Sequence, residues 1–210
     1  MSVVTITRQY GAGGSEVARR VAASLGWTLV DNEFVEQVAA RAGLPAATVA
    51  AHEERAPSLQ ERLIRALAAA SPETFVPAAA DDEKSTEETL VAVTERVIAE
   101  AAQHGRVVLV GRGAQAVLSQ ATPGEAINVY VTAPRAARIA TVAGRLQIAG
   151  PEAERAIDST DAARDRYVTK WYGRKRQDPS TYHLVVNTGQ LGYDGAAGLI
   201  VAAVRQRGWD

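Results

Sequence analysis

Short apolar runs of strand type alternate with helical patterns along this chain, and this alternation limits the fold more than any other feature. The clearest runs are RVVLV at residues 106–110 and AINVYV at 126–131. Strands without a polar face are typical of a parallel sheet that helices cover on both sides. Further strand-like runs occur at residues 3–7, 27–30 and 182–186. Five strands interleaved with helices predict a three-layer α/β/α sandwich with a mainly parallel five-stranded sheet.

The long segment between the second and third strands contains only helical patterns. We expect a single domain over residues 1–210 with a helical insertion at about residues 33–105. Within it, residues 72–83 should form a mobile loop, because two prolines and an acidic cluster interrupt the helical pattern. Further helices are predicted from the patterns at residues 135–149, 152–172 and 195–207.

Composition excludes several classes of function. The chain has 210 residues, 47% of them apolar, and a formal net charge of −1. That charge lacks the basic excess with which proteins bind nucleic acid polymers. No apolar run approaches the roughly 20 residues that cross a bilayer, so no membrane partner is expected. There is no cysteine, and the three histidines are far apart, so no metal-ligand spacing occurs. The N-terminus shows no leader pattern, so we expect a cytoplasmic protein.

The stretch VTITRQYGAGGSEVARRVA at residues 3–21 predicts a strand, a glycine turn and a helix. The phosphate-binding P-loop has the pattern G-x-x-x-x-G-K-[ST], in which lysine neutralises the phosphates and the hydroxyl binds magnesium. In this frame Gly13 and Ser15 are kept, but Arg8 stands at the first glycine position and Gly14 at the lysine position.

Two alternatives compete with a P-loop at this turn. A dinucleotide-binding turn, G-x-G-x-x-G, fits Gly11, Gly13 and an acid about 20 residues later at Asp31, but places Glu16 at the third glycine. The other alternative is a tight turn without a ligand.

Polar or glycine residues follow most of the predicted strands. They are residues 8–15 after the first strand, Asp31 after the second, Gly111-Arg112-Gly113 after the third and Asn187-Thr188-Gly189 after the last. Ligands of open α/β sheets bind at the carboxyl ends of the strands. This rim therefore favours a phosphate-binding site.

Four segments taken together, ITRQYGAGGSEVARRVAASLG, LVDNEFV, VVLVGRGAQAVL and DAARDRYVTKWYG…YHLVVNT, resemble the cytidylate kinase-like family of P-loop proteins. The resemblance runs through most of the chain but is thin between residues 41 and 87. It implies a fold similar to that of nucleoside monophosphate kinases, which transfer a phosphoryl group from ATP to a nucleotide. It therefore implies ATP and Mg²⁺ as cofactors.

The resemblance also implies roles for individual residues. The phosphate cradle would consist of Gly11, Ala12, Gly13, Gly14 and Ser15, with the Ser15 hydroxyl on the magnesium side. Arg112 would contact the acceptor or the transferred phosphoryl group, and Asp31 would face the acceptor. The insertion would supply the acceptor lobe, and the helices at about residues 138–176 would form the lid.

Phosphoryl transfer requires positive charge around the transferred group, and that charge need not come from the loop. Arg138 and Arg145 lie seven residues apart, so they share one face of a lid helix. Arg8 and Arg112 follow strands directly, and arginine can bind phosphate through two hydrogen bonds. The alternatives are a solvated helix with paired charges for the lid arginines and a salt bridge to Asp31 for Arg8.

The sequence therefore predicts a Mg-ATP-dependent phosphotransferase of nucleoside monophosphate kinase type. Its partner would be a small-molecule acceptor, a nucleotide by the resemblance and nominally CMP or dCMP. A homodimer is kept open. Two other functions also remain: a nucleotide-binding sensor with little turnover, because of Gly14, and a dinucleotide-dependent enzyme.

Overall fold

The computed structural model describes residues 2–31, 83–111, 113–121 and 124–209. These ranges contain five strands and six α-helices. The strands are β1 (Val3–Arg8), β2 (Thr28–Asp31), β3 (Val107–Val110), β4 (Ala126–Thr132) and β5 (Leu184–Asn187). The helices are α1 (Gly14–Leu25), α2 (Glu83–His104), α3 (Ala114–Ala121), α4 (Arg135–Leu146), α5 (Gly150–Tyr172) and α6 (Thr188–Gln206).

The five strands form one sheet in the order β2-β3-β1-β4-β5, and every pair is parallel. The first strand of the chain is the central one, where Val3 is paired with Val107 on one side and Ala126 on the other. This arrangement confirms the predicted fold class. It does not match a dinucleotide-binding domain, in which β2 lies next to β1. We therefore drop that alternative.

Alternating side chains of the sheet fill two separate cores. Val4 and Ile6 of β1 pack with α1 and α6, in a cluster that includes Val21 and Ile200. Val3 points to the opposite face and packs with α2, α3 and α5. Both faces of the sheet are therefore covered, and the strand β3 is entirely apolar. Two polar side chains inside the sheet, those of Thr5 and Asn128, are paired by a buried hydrogen bond of 2.7 Å.

Helices α4 and α5 form a third cluster around Val142, Ala153 and Ile157. Tyr10, which follows β1, packs against this cluster. The pair of helices that corresponds to the predicted lid is thus in direct contact with the glycine turn.

The boundaries of several elements differ from the prediction. Helix α6 begins at Thr188 rather than at residue 195, and it is kinked at Gly192, whose φ of 65° and ψ of 176° are not helical. Helix α4 ends at Leu146, because Gln147 adopts a left-handed conformation with a φ of 56°. A short 3₁₀ turn at Pro179–Thr181 delays the start of β5.

Of the predicted insertion, α2 is helical as expected. The rest of it, including nearly all of the predicted mobile loop, lies outside the described residues. No helix within the described ranges is long and apolar enough to span a bilayer.

Candidate functional site

The glycine turn connects β1 to α1 across residues 9–13. Gly11 and Gly13 have φ values of 81° and 75°, which side chains of L-residues rarely adopt. The turn is fixed to the sheet from outside. The hydroxyl of Thr188 donates to the carbonyl oxygens of Ala12 at 2.8 Å and Thr132 at 3.2 Å. The loop is therefore held rigidly at the carboxyl end of β1.

The first turn of α1 presents unbonded amides at this loop. Among the described residues, the backbone N–H groups of Gly13, Gly14 and Ser15 donate to no backbone carbonyl. Such amides at a helix N-terminus, together with the helix dipole, bind anions. The Ser15 side chain is exposed at the same place.

Glu16 lies in the first turn of α1, and two arginines balance its negative charge. Its carboxylate accepts hydrogen bonds from Arg19 at 2.7 Å and Arg20 at 2.9 Å. The hydrogen bond from Arg19 is the main cause that lowers the pKa of Glu16. The two guanidiniums thus neutralise the acid that stands beside the candidate phosphate cradle.

The loop already binds one anionic group, the carboxylate of Asp161 on α5. The amide of Tyr10 donates to Asp161 Oδ1 at 3.0 Å. Two guanidiniums hold the same carboxylate, that of Arg138 at 2.8 Å and that of Arg176 at 3.3 Å. Arg164 lies 4.0 Å away from it. We call this arrangement of Asp161 with its three arginines the Asp161 hub.

The arginines of the hub also reach the end of β1. The carbonyl oxygen of Arg8 accepts a hydrogen bond of 3.2 Å from Arg164 and one of 2.7 Å from Arg176. Arg145 lies over the ring of Tyr10, with its guanidinium carbon 4.9 Å from the ring centroid. Four cationic side chains of the lid segment therefore converge on residues 8–10.

The side chain of Arg8 is only 9% exposed at the carboxyl edge of the sheet. Its guanidinium lies 4.0 Å from the carboxylate of Asp31, which is equally buried at the end of β2. The salt bridge considered from the sequence is thus present at long range. The stem of Arg8 runs directly over Gly14, and its guanidinium extends to Gly111.

A cavity of about 310 Å³ opens beside these groups, between the sheet edge, α3 and α5. Its lining combines cations with aromatic and amide groups, namely Arg8, Arg164, Arg176, Tyr167, Tyr182 and Gln115. Gly111 and Gly113, which flank Arg112 in the sequence, also line it. The cavity has the size and mixed lining of a small-ligand site.

The aromatic wall of the cavity continues into the sheet. The ring of Tyr182 stacks on that of Tyr130 at 5.1 Å, and the Tyr182 hydroxyl donates to the carbonyl of Arg176 at 2.6 Å. Burial raises the pKa of Tyr130 to about 12. Both tyrosines therefore stay neutral at physiological pH and act as packing surfaces.

Most of the residues predicted for the site do meet at one edge of the sheet. Arg8, Arg138 and Arg145 surround the loop of residues 11–15, and Asp31 lies on the far side of Arg8. Arg112 lies outside the described residues.

One expectation needs correction. The alternative for Arg138, paired charges on a solvated helix, holds only in part, because Arg138 is paired with Asp161 but is only 7% exposed. Its position is fixed by a partly buried carboxylate that helix periodicity does not assign to it.

The sequence reasoning missed Asp161, Tyr10 and Arg176 as members of the site. Asp161 is one of several acidic residues on α5, and the sequence does not distinguish it from the others. Tyr10 stands inside the glycine turn, and an aromatic residue in a turn is a signal that could have been used. Arg176 is one of several cations in the segment GRKRQDP, and nothing in that segment distinguishes it.

Little in the described part of the chain could bind a metal ion without a substrate. No group of three or more acidic or histidine side chains is clustered there. The oxygen groups predicted for a metal are the hydroxyl of Ser15, which is exposed, and the carboxylate of Asp31, which is buried at the end of β2. This donor set fits Mg²⁺, which is commonly bound by one or two protein oxygens together with substrate phosphates and water.

Several solved structures share this fold over nearly the full length of the chain. An uncharacterised protein from Eubacterium ventriosum has a TM-score of 0.69 at 18% identity, covering 99% of this chain and 100% of the other. Shikimate kinase from Acinetobacter baumannii, solved in complex with shikimate, has a TM-score of 0.51 at 16% identity, covering 100% and 96%. Shikimate kinase from Bacteroides thetaiotaomicron has a TM-score of 0.51 at 12% identity, covering 97% and 98%.

At these identities the similarity establishes the fold of P-loop kinases and leaves the substrate open. No curated protein is significantly similar to the chain in sequence. The model of the cytidylate kinase-like family, in contrast, matches residues 3–190. That match includes the glycine turn, the Asp161 hub and the start of α6, and this chain therefore belongs to the cytidylate kinase-like family.

Proposed function

We propose that this protein is a Mg-ATP-dependent phosphotransferase of the nucleoside monophosphate kinase type. The observation that carries the proposal is the convergence of the lid arginines on a loop whose helix amides have no backbone acceptor among the described residues. Family membership points to the same chemistry. The acceptor we propose is a nucleoside monophosphate, nominally CMP or dCMP.

The donor phosphates would lie against residues 11–15. The amides of Gly13, Gly14 and Ser15 point to the helix end where an anion is stabilised. A buried N–H donor of Arg138, its Nε, has no hydrogen-bond acceptor within the described residues. An anion arriving at the loop would satisfy this donor, because buried polar groups are normally paired.

Magnesium would supply neutralisation of the charge on the phosphates, as it does in other phosphoryl-transfer enzymes. Ser15 would hold it through its hydroxyl, and Asp31 would be within the same edge of the sheet. The remaining ligands would be phosphate oxygens and water.

The acceptor would enter the cavity between α3 and α5. Arg164 lines it and can bind an acceptor phosphate, and Tyr167 offers an aromatic surface to a base. Arg112, between the two lining glycines, stays in our proposal as a contact to the acceptor or the transferred phosphoryl group. We also retain the insertion at about residues 33–105 as the acceptor lobe and residues 138–176 as the lid.

Charge stabilisation would come from arginines outside the loop. Arg145 is exposed above Tyr10, so it can turn toward a bound phosphate without breaking an ion pair. Arg138 and Arg176 are tied to Asp161 and would act from fixed positions. Preorganised charge of this kind is what phosphoryl transfer needs from a protein.

A second function, a nucleotide-binding sensor with little turnover, is favoured by one observation. Residue 14 has no side chain, so the loop itself provides no cation. The sensor would bind Mg-ATP as the kinase does but would release no ADP.

The experiment that tests the proposal measures binding and turnover separately. Mg-ATP should raise the melting temperature, since a ligand that binds only the folded state stabilises it, whereas NAD should not. ADP release should then be measured with CMP, dCMP, UMP, AMP and shikimate as acceptors, and without an acceptor. ADP release that depends on a nucleoside monophosphate is the expected result. Binding of Mg-ATP without release under any condition would replace the kinase by the sensor, and no binding would refute both.

Two arginines on α5 provide a matched pair of variants for this assay. Arg164 lines the cavity and donates to the carbonyl of Arg8, whereas Arg166 is exposed two residues later. Arg164→Met should weaken the apparent affinity for the acceptor, while Arg166→Met should leave turnover unchanged. Equal effects of the two variants would contradict the placement of the acceptor in this cavity.

A further inference from the structure

We propose that Arg8 replaces the lysine of an ordinary P-loop, and that Arg8 and Gly14 are a reciprocal pair in which each residue requires the other. Arg8 supplies the phosphate-binding cation from the end of β1, and Gly14 leaves the space through which its side chain passes. This inference rests on the phosphotransferase function proposed above.

The first evidence is the space at residue 14. A Cβ atom added to Gly14 would lie 2.6 Å from Cβ and 2.7 Å from Cγ of Arg8. Both distances are shorter than carbon atoms tolerate, since non-bonded carbons are in contact at about 3.5–4.0 Å. These two atoms stand next to the backbone of β1, so rotation of the outer side chain cannot remove the overlap. No side chain, and hence no lysine, fits at residue 14 while Arg8 is present.

The second evidence is the backbone at residue 14. Gly14 is the first residue of α1, and unlike Gly11 and Gly13 it does not have a positive φ. Any residue could adopt its conformation. Glycine is therefore required at this position by the stem of Arg8 and not by the path of the chain.

The third evidence is the position of the pair within the loop pattern. In G-x-x-x-x-G-K-[ST] the first position is glycine and the seventh is lysine. Here the first is Arg8 and the seventh is Gly14. The two departures from the pattern thus belong together. The cationic side chain stands at the end of β1, on Arg8, and the glycine stands at the start of α1, at residue 14.

The guanidinium of Arg8 lies between the glycine turn and the cavity. After passing Gly14, the Arg8 guanidinium reaches Gly111 at the end of β3 and lines the cavity. Its Nη2 lies 4.0 Å from Oδ1 of Asp31. A guanidinium there can bind two oxygens of one phosphate group, as the single ammonium of lysine cannot. Arg8 is therefore placed to hold the phosphoryl group that is transferred.

A double-mutant cycle tests the pair, because coupled residues give non-additive effects. The proteins are the parent, Arg8→Gly, Gly14→Lys and the double variant, which carries a complete G-x-x-x-x-G-K-S loop. Melting temperature without ligand and dissociation constants for Mg-ATP and Mg-ADP are measured. Gly14→Lys should melt well below the parent because of the overlap, and Arg8→Gly should bind Mg-ATP about 10- to 100-fold more weakly. The double variant should recover both properties, with a Mg-ATP dissociation constant within about tenfold of the parent.

Two further variants separate charge from packing. Arg8→Met keeps a stem over Gly14 without the charge. It should lose affinity for Mg-ATP more than for Mg-ADP, and it should melt below the parent because buried Asp31 loses its cation. Gly198→Lys is the control for an added lysine, because a side chain at this exposed position of α6 meets no atom within 4 Å. It should match the parent in every measurement.

The outcomes separate this inference from the function on which it rests. If the parent binds Mg-ATP but Arg8→Met binds it equally well, the role of Arg8 is wrong and the proposed function stands. If the double variant melts no higher than Gly14→Lys, the reciprocal packing is wrong. If the parent binds no Mg-ATP, both the function and the inference fail.

Discussion

The Asp161 hub gives the sharpest test of how the lid is attached to the loop. Asp161 and Asp158 lie three residues apart on α5, and each accepts a hydrogen bond of 2.8 Å from an arginine of α4. They differ in burial, since the side chain of Asp161 is 16% exposed and that of Asp158 is 58% exposed. Replacing each by alanine therefore changes the same kind of bond in two environments.

The expected loss of unfolding free energy depends on which buried groups lose a partner in the variant. Asp161→Ala leaves the guanidiniums of Arg138 and Arg176 buried without their shared carboxylate. It also leaves the amide of Tyr10 without its acceptor. Removing one partner of a buried ion pair costs about 3–5 kcal/mol, and the partial exposure of Asp161 favours the lower end. For a chain of this size, about 3 kcal/mol corresponds to a fall in melting temperature of about 6–12 °C.

Asp158→Ala should melt like the parent, because its pair with Arg135 is exposed on both sides and such pairs add little stability. The two substitutions gain the same helix propensity, so that contribution cancels between them. Thermal unfolding followed by circular dichroism, without ligand, is the assay. Melting temperatures that agree within about two degrees would refute the structural role of the hub, since that difference is below 1 kcal/mol.

Four further outcomes are expected from the site and the sheet. Ser15→Ala should fold like the parent but need a higher Mg²⁺ concentration for half-maximal turnover, which a magnesium titration of ADP release measures. Arg145→Ala should keep its melting temperature and lose most of kcat, about 10³-fold for a cation that acts in the transition state. Arg138→Ala should lose kcat and also melt lower, because its carboxylate partner stays buried. Partial burial and the charge of Arg207 lower the pKa of His183. Below about pH 6.5 His183 therefore binds a proton more readily in the unfolded chain than in the folded one. The free energy of unfolding decreases as the pH is lowered through this range. His183→Gln should flatten this loss between pH 7 and 5 in melting curves.

The sheet could be predicted because its signals are local. The run VVLV has no polar position, and it became the strand β3, buried on both faces. Because ligands bind at the carboxyl ends of the strands, we predicted that Asp31 would lie at the same edge of the sheet as Arg8 and the glycine turn, although it belongs to another strand. Their positions agree with the rule, while their roles stay predictions.

The Asp161 hub could not be predicted in the same way. The hydrogen bond from Tyr10 to Asp161 spans 151 residues, and the sequence offers several other carboxylates on the same helix. Helix periodicity places Arg138 on a face but does not tell whether that face meets solvent or a carboxylate. Likewise, the pattern of G-x-x-x-x-G-K-[ST] showed that Gly14 is unusual, and only the path of the Arg8 stem explains it.

The central position of β1 has a consequence for how the chain is made. β1 is synthesised first, yet the strands that pair with it begin at Val107 and Ala126. Translation at about 5–20 residues per second needs roughly 5–20 seconds to cover that interval. Throughout it Val4 and Ile6 have no neighbouring strand, and exposed strand edges invite aggregation. Folding of the sheet must therefore wait for more than half of the chain, and we expect the nascent protein to depend on chaperones until β4 emerges.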